Sequence, residues 1–222
     1  MNTKFQLIAL TAALAASGAA LAQKAGSFSA QIGATNLAPS VSSGNLTAPS
    51  LPNSQATVNS DTELTGAVNY MLTDNVALSV PLGFGFKHDV SGAGAIAGAG
   101  TLATTKVIPI TLIAQYRFLA PDATLRPYVG AGVTYARFYD TNGTAVLTGL
   151  TSTGGAATTI SFQSKWAPTI QLGLTYNLNE KWYLDASYTK TFLKTQGTLS
   201  TGQTLDMRLD PNSYTVAVGY KF

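Results

Sequence analysis

The 222-residue chain has no cysteine, one histidine and few charges. Without cysteine there is no disulfide frame and no thiolate metal site. A single histidine, His88, cannot build a histidine-based metal centre alone. Its neighbour Asp89 points to the opposite face of any strand that carries both, so the two do not form a catalytic pair. No convergent acid, base and nucleophile are present, and the chain reads as a non-enzyme with no cofactor. Charged residues are 10% of the chain, well below the ~25% of an ordinary soluble domain. The net charge of +3 is scattered, without the basic cluster that nucleic acid requires. Beyond the N-terminus no apolar run is long enough for a spanning helix.

What is present begins with an export signal. Lys4 supplies a positive start, Phe5 to Ala20 is apolar or small, and Ala20-Leu21-Ala22 fits a cleavage site. Residues 1–22 are therefore expected to be a signal peptide, with cleavage between Ala22 and Gln23 and a mature domain over 23–222. The alternative is an anchor helix, for which the run is short against the ~20 residues needed. Removing the segment takes one lysine and leaves twelve basic against ten acidic residues.

The mature chain alternates with a period of two, the mark of strands with one greasy face. The last stretch, Tyr214 to Phe222, sets Tyr214, Val216, Val218, Tyr220 and Phe222 against Thr215, Ala217, Gly219 and Lys221. Seven earlier stretches match it: Phe28–Thr35, Val58–Tyr70, Val76–Lys87, Ile108–Phe118, Pro127–Tyr139, Trp166–Leu178 and Trp182–Thr189. In the third, Val76, Leu78, Val80, Leu82, Phe84 and Phe86 are expected on one face and Lys87 on the other. The eighth strand is expected to run from Leu205 to Phe222. Long Gly/Ser/Thr-rich connections alternate with shorter turns at 73–75, 119–126 and 179–181. Aromatic residues gather at both strand ends.

These features predict an all-β fold: an eight-stranded antiparallel transmembrane β-barrel with short periplasmic turns and longer extracellular loops. The expected location is the outer membrane of a Gram-negative bacterium, surrounded by outer-membrane lipid, as a monomer or weak oligomer. A soluble lipocalin-type barrel is the alternative, but the less greasy faces hold Gly, Ala, Ser and Thr rather than Lys and Glu.

Several blocks, in order, resemble a known family. They are Asn59-Ser-Asp-Thr-Glu-Leu64, Asn69-Tyr-Met-Leu-Thr-Asp-Asn75, Phe86-Lys-His-Asp89, Ala114-Gln-Tyr-Arg-Phe118, Arg126-Pro-Tyr-Val-Gly-Ala-Gly-Val-Thr-Tyr135, and Leu209-Asp-Pro211 before Val218-Gly-Tyr-Lys-Phe222. Together they resemble the outer membrane protein W family, OmpW. Lys165-Trp-Ala-Pro168 with Gln171-Leu-Gly-Leu174 is more similar to its alkane-import relative AlkL. The resemblance implies a passive channel for small hydrophobic molecules, with the solute leaving sideways through the barrel wall. The competing reading is a plugged barrel that displays its external loops.

A gap in the wall needs local failure of backbone pairing, which proline brings about because it has no N–H. Pro81 and Pro109 face inward on adjacent strands, so they are lateral-gate candidates, against the alternative of tolerated bulges in a sealed wall. The resemblance implies large apolar residues facing inward on the third and seventh strands. The matching positions here are Pro81 and Thr189; both depart from that pattern, and Thr189 is taken with the prolines as a lateral-gate candidate. Glu63, Lys87, Arg117 and Asp185 are expected inside the barrel, as a charge plug of the periplasmic half or partly beyond the membrane band. Phe222 is expected to be the signal read by the barrel-insertion machinery, as C-terminal Phe is in outer-membrane barrels generally.

Overall fold

The computed structural model describes residues 23–152 and 154–222. The expected signal peptide, with Ala22, lies outside the described residues. In chain order the strands are β1 (Phe28–Ala38), β2 (Ser42–Ser43), β3 (Ser54–Val58), β4 (Asp61–Met71), β5 (Val76–Gly83), β6 (Phe86–Gly94) and β7 (Thr101–Arg117). Then come β8 (Leu125–Gly143), the short helix α1 (Ala145–Thr151), β9 (Ile160–Phe162), β10 (Lys165–Asn177), β11 (Trp182–Thr191), β12 (Lys194–Leu199), β13 (Thr204–Arg208) and β14 (Asn212–Lys221).

Eight strands close into one antiparallel barrel in the order β1, β4, β5, β7, β8, β10, β11, β14 and back to β1. The seam joins the chain ends: Ser29 stands opposite Lys221, and the Phe222 N–H donates to the Phe28 carbonyl at 2.9 Å. Closure removes the open edges of the sheet, as a hydrocarbon surround demands. The greasy face points outward, with Ile32, Leu64, Leu172 and Val216 exposed. The inner face carries Ser29, Asn69, Thr111, Gln115, Thr134 and Gln171, all buried. An exposed apolar belt around a polar interior inverts the soluble pattern and matches a lipid-facing wall.

Aromatic pairs mark both rims. Phe28–Tyr70 (4.5 Å between ring centres), Tyr116–Phe118 (5.1 Å), Trp182–Tyr220 (5.0 Å) and Tyr220–Phe222 (5.2 Å) lie at the short-turn end. Tyr135–Trp166 (5.0 Å) and Tyr188–Tyr214 (5.4 Å) lie toward the other.

The structure departs from the sequence expectation on the outer side. The tract from Asp89 to Thr105 is largely strand rather than loop, because β6 extends to Gly94 and β7 begins at Thr101. Small Gly, Ala and Thr side chains hide the alternation, yet the backbone still pairs. The expected single strand from Leu205 is two: β13 joins a small outer sheet in the order β2-β13-β12-β9, and Pro211 separates it from β14.

The third wall strand also changes face midway. Gly85 adopts φ +102°, a left-handed conformation that favours glycine. The register with β7 slips there by one residue: Ser79 stands opposite Ile113, but Phe86 stands opposite Val107. Phe84 therefore points out, at 85% exposed, while Phe86 turns inward and is 3% exposed. The same slip turns Lys87 outward, where it is exposed, and His88 inward. The expected placements of Phe86 outside and Lys87 inside are both corrected by this one bulge.

Candidate functional site

The lumen has three levels. The lowest, toward the short turns, is packed shut with polar groups. The Arg117 guanidinium donates to Gln23 Oε1 (3.0 Å) and Gln115 Oε1 (2.8 Å), and lies 4.9 Å from the Tyr128 ring centre. Tyr128 donates its hydroxyl to Asp185 Oδ1 at 2.9 Å, and Thr175 donates to Asp185 Oδ2 at 2.9 Å. Arg126 donates to Gln23 Oε1 at 3.2 Å and to the Asp74 carbonyl. Gln115 donates to Gln171 at 2.7 Å. Arg117 is 1% exposed, and Arg126, Tyr183 and Asp185 are buried with it. Buried charge of this kind is tolerated because each group has several partners.

Above it runs a belt of threonines. Thr111, Thr134, Thr169 and Thr191 link hydroxyl to hydroxyl at 2.9, 2.7 and 3.0 Å across β7, β8, β10 and β11. Thr215, Thr35 and Thr65 link at 2.8 and 2.7 Å across β14, β1 and β4. Neither chain of hydroxyls crosses β5, where Pro81 and Gly83 stand opposite Ala67 and Thr65.

The outermost level is an apolar funnel. Leu37, Phe86, Val90, Val107, Leu193, Met207 and Leu209 are buried together, with Val58, Phe138 and Phe162 packed against them. One cavity runs from these residues down to Arg117 and Tyr128. His88 and Thr105, opposite each other, are polar residues of the funnel. His88 is 3% exposed, and its Nδ1 lies 2.8 Å from the Asn59 carbonyl. Burial pushes its pKa below the ordinary 6.5, against the pull of that hydrogen bond and of Asp61 and Asp89.

The backbone ladder between β5 and β7 is interrupted beside the belt. Between the Ser79–Ile113 and Phe86–Val107 pairs, residues 80–85 and 108–112 make no ladder with each other. Pro81 and Pro109 lie in these facing segments, and both line the cavity with Leu82 and Gly83. At the outer edge the Tyr139 hydroxyl donates to the Phe84 carbonyl at 3.2 Å, a strap across the break. A second divergence lies next to it, where β6 leaves β4 and pairs with β3.

The sequence-selected residues are thus partly brought together. Pro81 and Pro109 share one break. Thr189 lines the cavity on β11, four strands from β5 in either direction, so it stands on the opposite wall. Arg117 and Asp185 share the lower network, whereas Glu63 sits at the outer end of β4 and Lys87 lies outside the lumen. The partners that complete the lower network are Gln23, Gln115, Arg126 and Tyr128. Sequence alternation places Gln115 on the inner face, but nothing local shows that Gln23 folds back into the barrel or that Arg126 reaches it.

The OmpW family model matches residues 24–222. Outer membrane protein W of Vibrio cholerae serotype O1 is 33% identical, over 97% of this chain and 97% of that protein. Outer membrane protein AlkL of Ectopseudomonas oleovorans is 28% identical, over 78% of this chain and 71% of that protein. The crystal structure of the outer membrane protein OprG from Pseudomonas aeruginosa superposes with a TM-score of 0.81 at 28% identity, covering 90% of this chain and 97% of the other.

Proposed function

The chain belongs to the OmpW family of Gram-negative outer-membrane barrels, which are not enzymes, and from that premise we propose that it is a passive uptake channel for small hydrophobic molecules. Solute enters the funnel from outside and leaves sideways into the membrane between β5 and β7, with Pro81 and Pro109 as the gate residues. The observation that carries this reading is the coincidence of the wall break with the bottom of the apolar funnel. Below the break the Arg117–Asp185 network offers mostly polar partners, with Ile113 an apolar exception, so an apolar solute loses free energy by going further. A lateral exit keeps it in apolar surroundings throughout. The lower network acts as the charge plug, with Arg117 and Asp185 its members among the four residues chosen from sequence; Glu63 and Lys87 serve the outer rim. No energy source is needed, because the solute runs down its gradient into lipid. Gln23 as the first residue of the mature chain fits this scheme, since its side chain seals the plug between two arginines.

Pro81→Val and Pro109→Val restore a ladder donor on each side of the break. Together they are expected to bring alkane uptake into proteoliposomes close to that of protein-free vesicles, with the barrel still heat-modifiable on gels. Unchanged uptake in folded double variant would refute the lateral route. No uptake by wild-type protein would favour the plugged display barrel.

A further inference from the structure

His88 is a buried polar side chain of the funnel with a ring nitrogen that the lateral route leaves unused. Asn59 fixes the segment that carries it. The Asn59 N–H donates to the Asp89 carbonyl at 3.2 Å, and Asn59 Oδ1 accepts from the Asp89 N–H at 2.6 Å. The Asn59 carbonyl lies 2.8 Å from His88 Nδ1. A carbonyl can only accept, so Nδ1 carries the proton and the neutral ring presents a lone pair at Nε2. That Nε2 is buried and has no hydrogen-bond partner among the described residues. The ring lines the cavity beside Phe86, its centre 6.5 Å from that ring at an interplanar angle of 21°. The cross-strand neighbour Thr105 has its hydroxyl engaged with Thr141 at 2.8 Å. His88 sits outward of Phe86 and of the wall break, so solute meets it before reaching the gate.

We propose that His88 Nε2 accepts a hydrogen bond from the solute, so that the funnel favours apolar molecules carrying one O–H or N–H donor, such as an aliphatic alcohol or a phenol, over ethers and pure hydrocarbons. This rests on the uptake reading above and deepens it by naming the solute class. A buried acceptor without a donor is held at a cost, and a ligand hydroxyl relieves it. An ether has the same shape but nothing to donate. The lowered pKa keeps the ring neutral at pH 7, so the lone pair is available.

The single histidine makes the test direct. With imidazole-labelled wild-type protein in lipid nanodiscs, the Nε2 resonance is expected to shift on adding a primary alcohol or a phenol. It is expected to stay put with the methyl ether of that alcohol or with the alkane of equal length. In proteoliposomes the wild type is expected to favour the alcohol over the ether by about three- to tenfold relative to their passive permeation, the value of one net hydrogen bond. His88→Leu should bring that ratio to one while alkane uptake is retained. An Nε2 signal unmoved by alcohol, or an unchanged ratio in folded His88→Leu, overturns the assignment. The wild-type resonance does not depend on how the variant folds. If Nε2 responds but no alkane crosses, the channel reading fails and the donor site stands; if alkane crosses and Nε2 is silent, only the donor site fails.

Discussion

Gly173→Ala tests how the lower half of the barrel is held. Gly173 stands directly across from Tyr128 on β10 and β8, and the Tyr128 ring folds over it. A Cβ at position 173 would lie 2.1 Å from Tyr128 Cζ and 2.4 Å from its hydroxyl oxygen, far closer than van der Waals contact permits. The ring cannot slide, because its hydroxyl is tied to Asp185 at 2.9 Å and its face lies 4.9 Å from the Arg117 guanidinium. It must swing away and lose both. The hydrogen bond to a buried carboxyl is worth ~1–3 kcal/mol. The cation–π contact is worth ~0.5–2 kcal/mol. The expected loss is therefore about 2–5 kcal/mol, read as a lower denaturant midpoint for the folded barrel in lipid vesicles. In a Tyr128→Ala background the same substitution should cost less than about 1 kcal/mol, since nothing is left to collide. A Gly173→Ala barrel as stable as wild type, or an equal loss in both backgrounds, would show that the ring does not bind the network together.

Deleting Phe222, or replacing it with Asp, is expected to lower the amount of heat-modifiable protein in outer-membrane fractions; normal levels would remove its role as assembly signal. Truncating Arg117 and Tyr128 together to Ser should raise ion current across planar bilayers above the wild-type baseline, as the plug is opened. Acid should loosen the outer half of the barrel. Because burial lowers the His88 pKa in the fold, the unfolded ring takes up its proton first, so stability is full above the ordinary 6.5 and falls as pH drops through that value. Asp61 and Asp89 oppose the shift without cancelling it. The unfolding midpoint should drop between about pH 7.5 and pH 5.5 in wild type and much less in His88→Phe.

The sequence alone determined the wall. A period of two with one greasy face follows from strand geometry, and eight such runs with few charges and small residues on the other face point to a lipid-facing barrel. Closure between the terminal strand and the first followed from the same argument, since a bilayer forbids an open edge. The same period of two sets most of the inward threonines, Thr215 among them, on the less greasy faces, although Thr191 lies beyond the expected seventh strand. Only the tertiary structure showed that the threonines join into two hydroxyl chains, neither of which crosses β5, because that depends on register between strands distant in sequence. Face assignment failed at one point for a local reason: a left-handed Gly85 added a residue to one strand and reversed Phe86, Lys87 and His88 together. Periodicity carries no mark of a bulge. That reversal removed Lys87 from the lumen and placed the lone histidine inside it. Thr189 was separated from the prolines because a closed barrel puts strands four apart on opposite walls, a relation that no linear spacing displays.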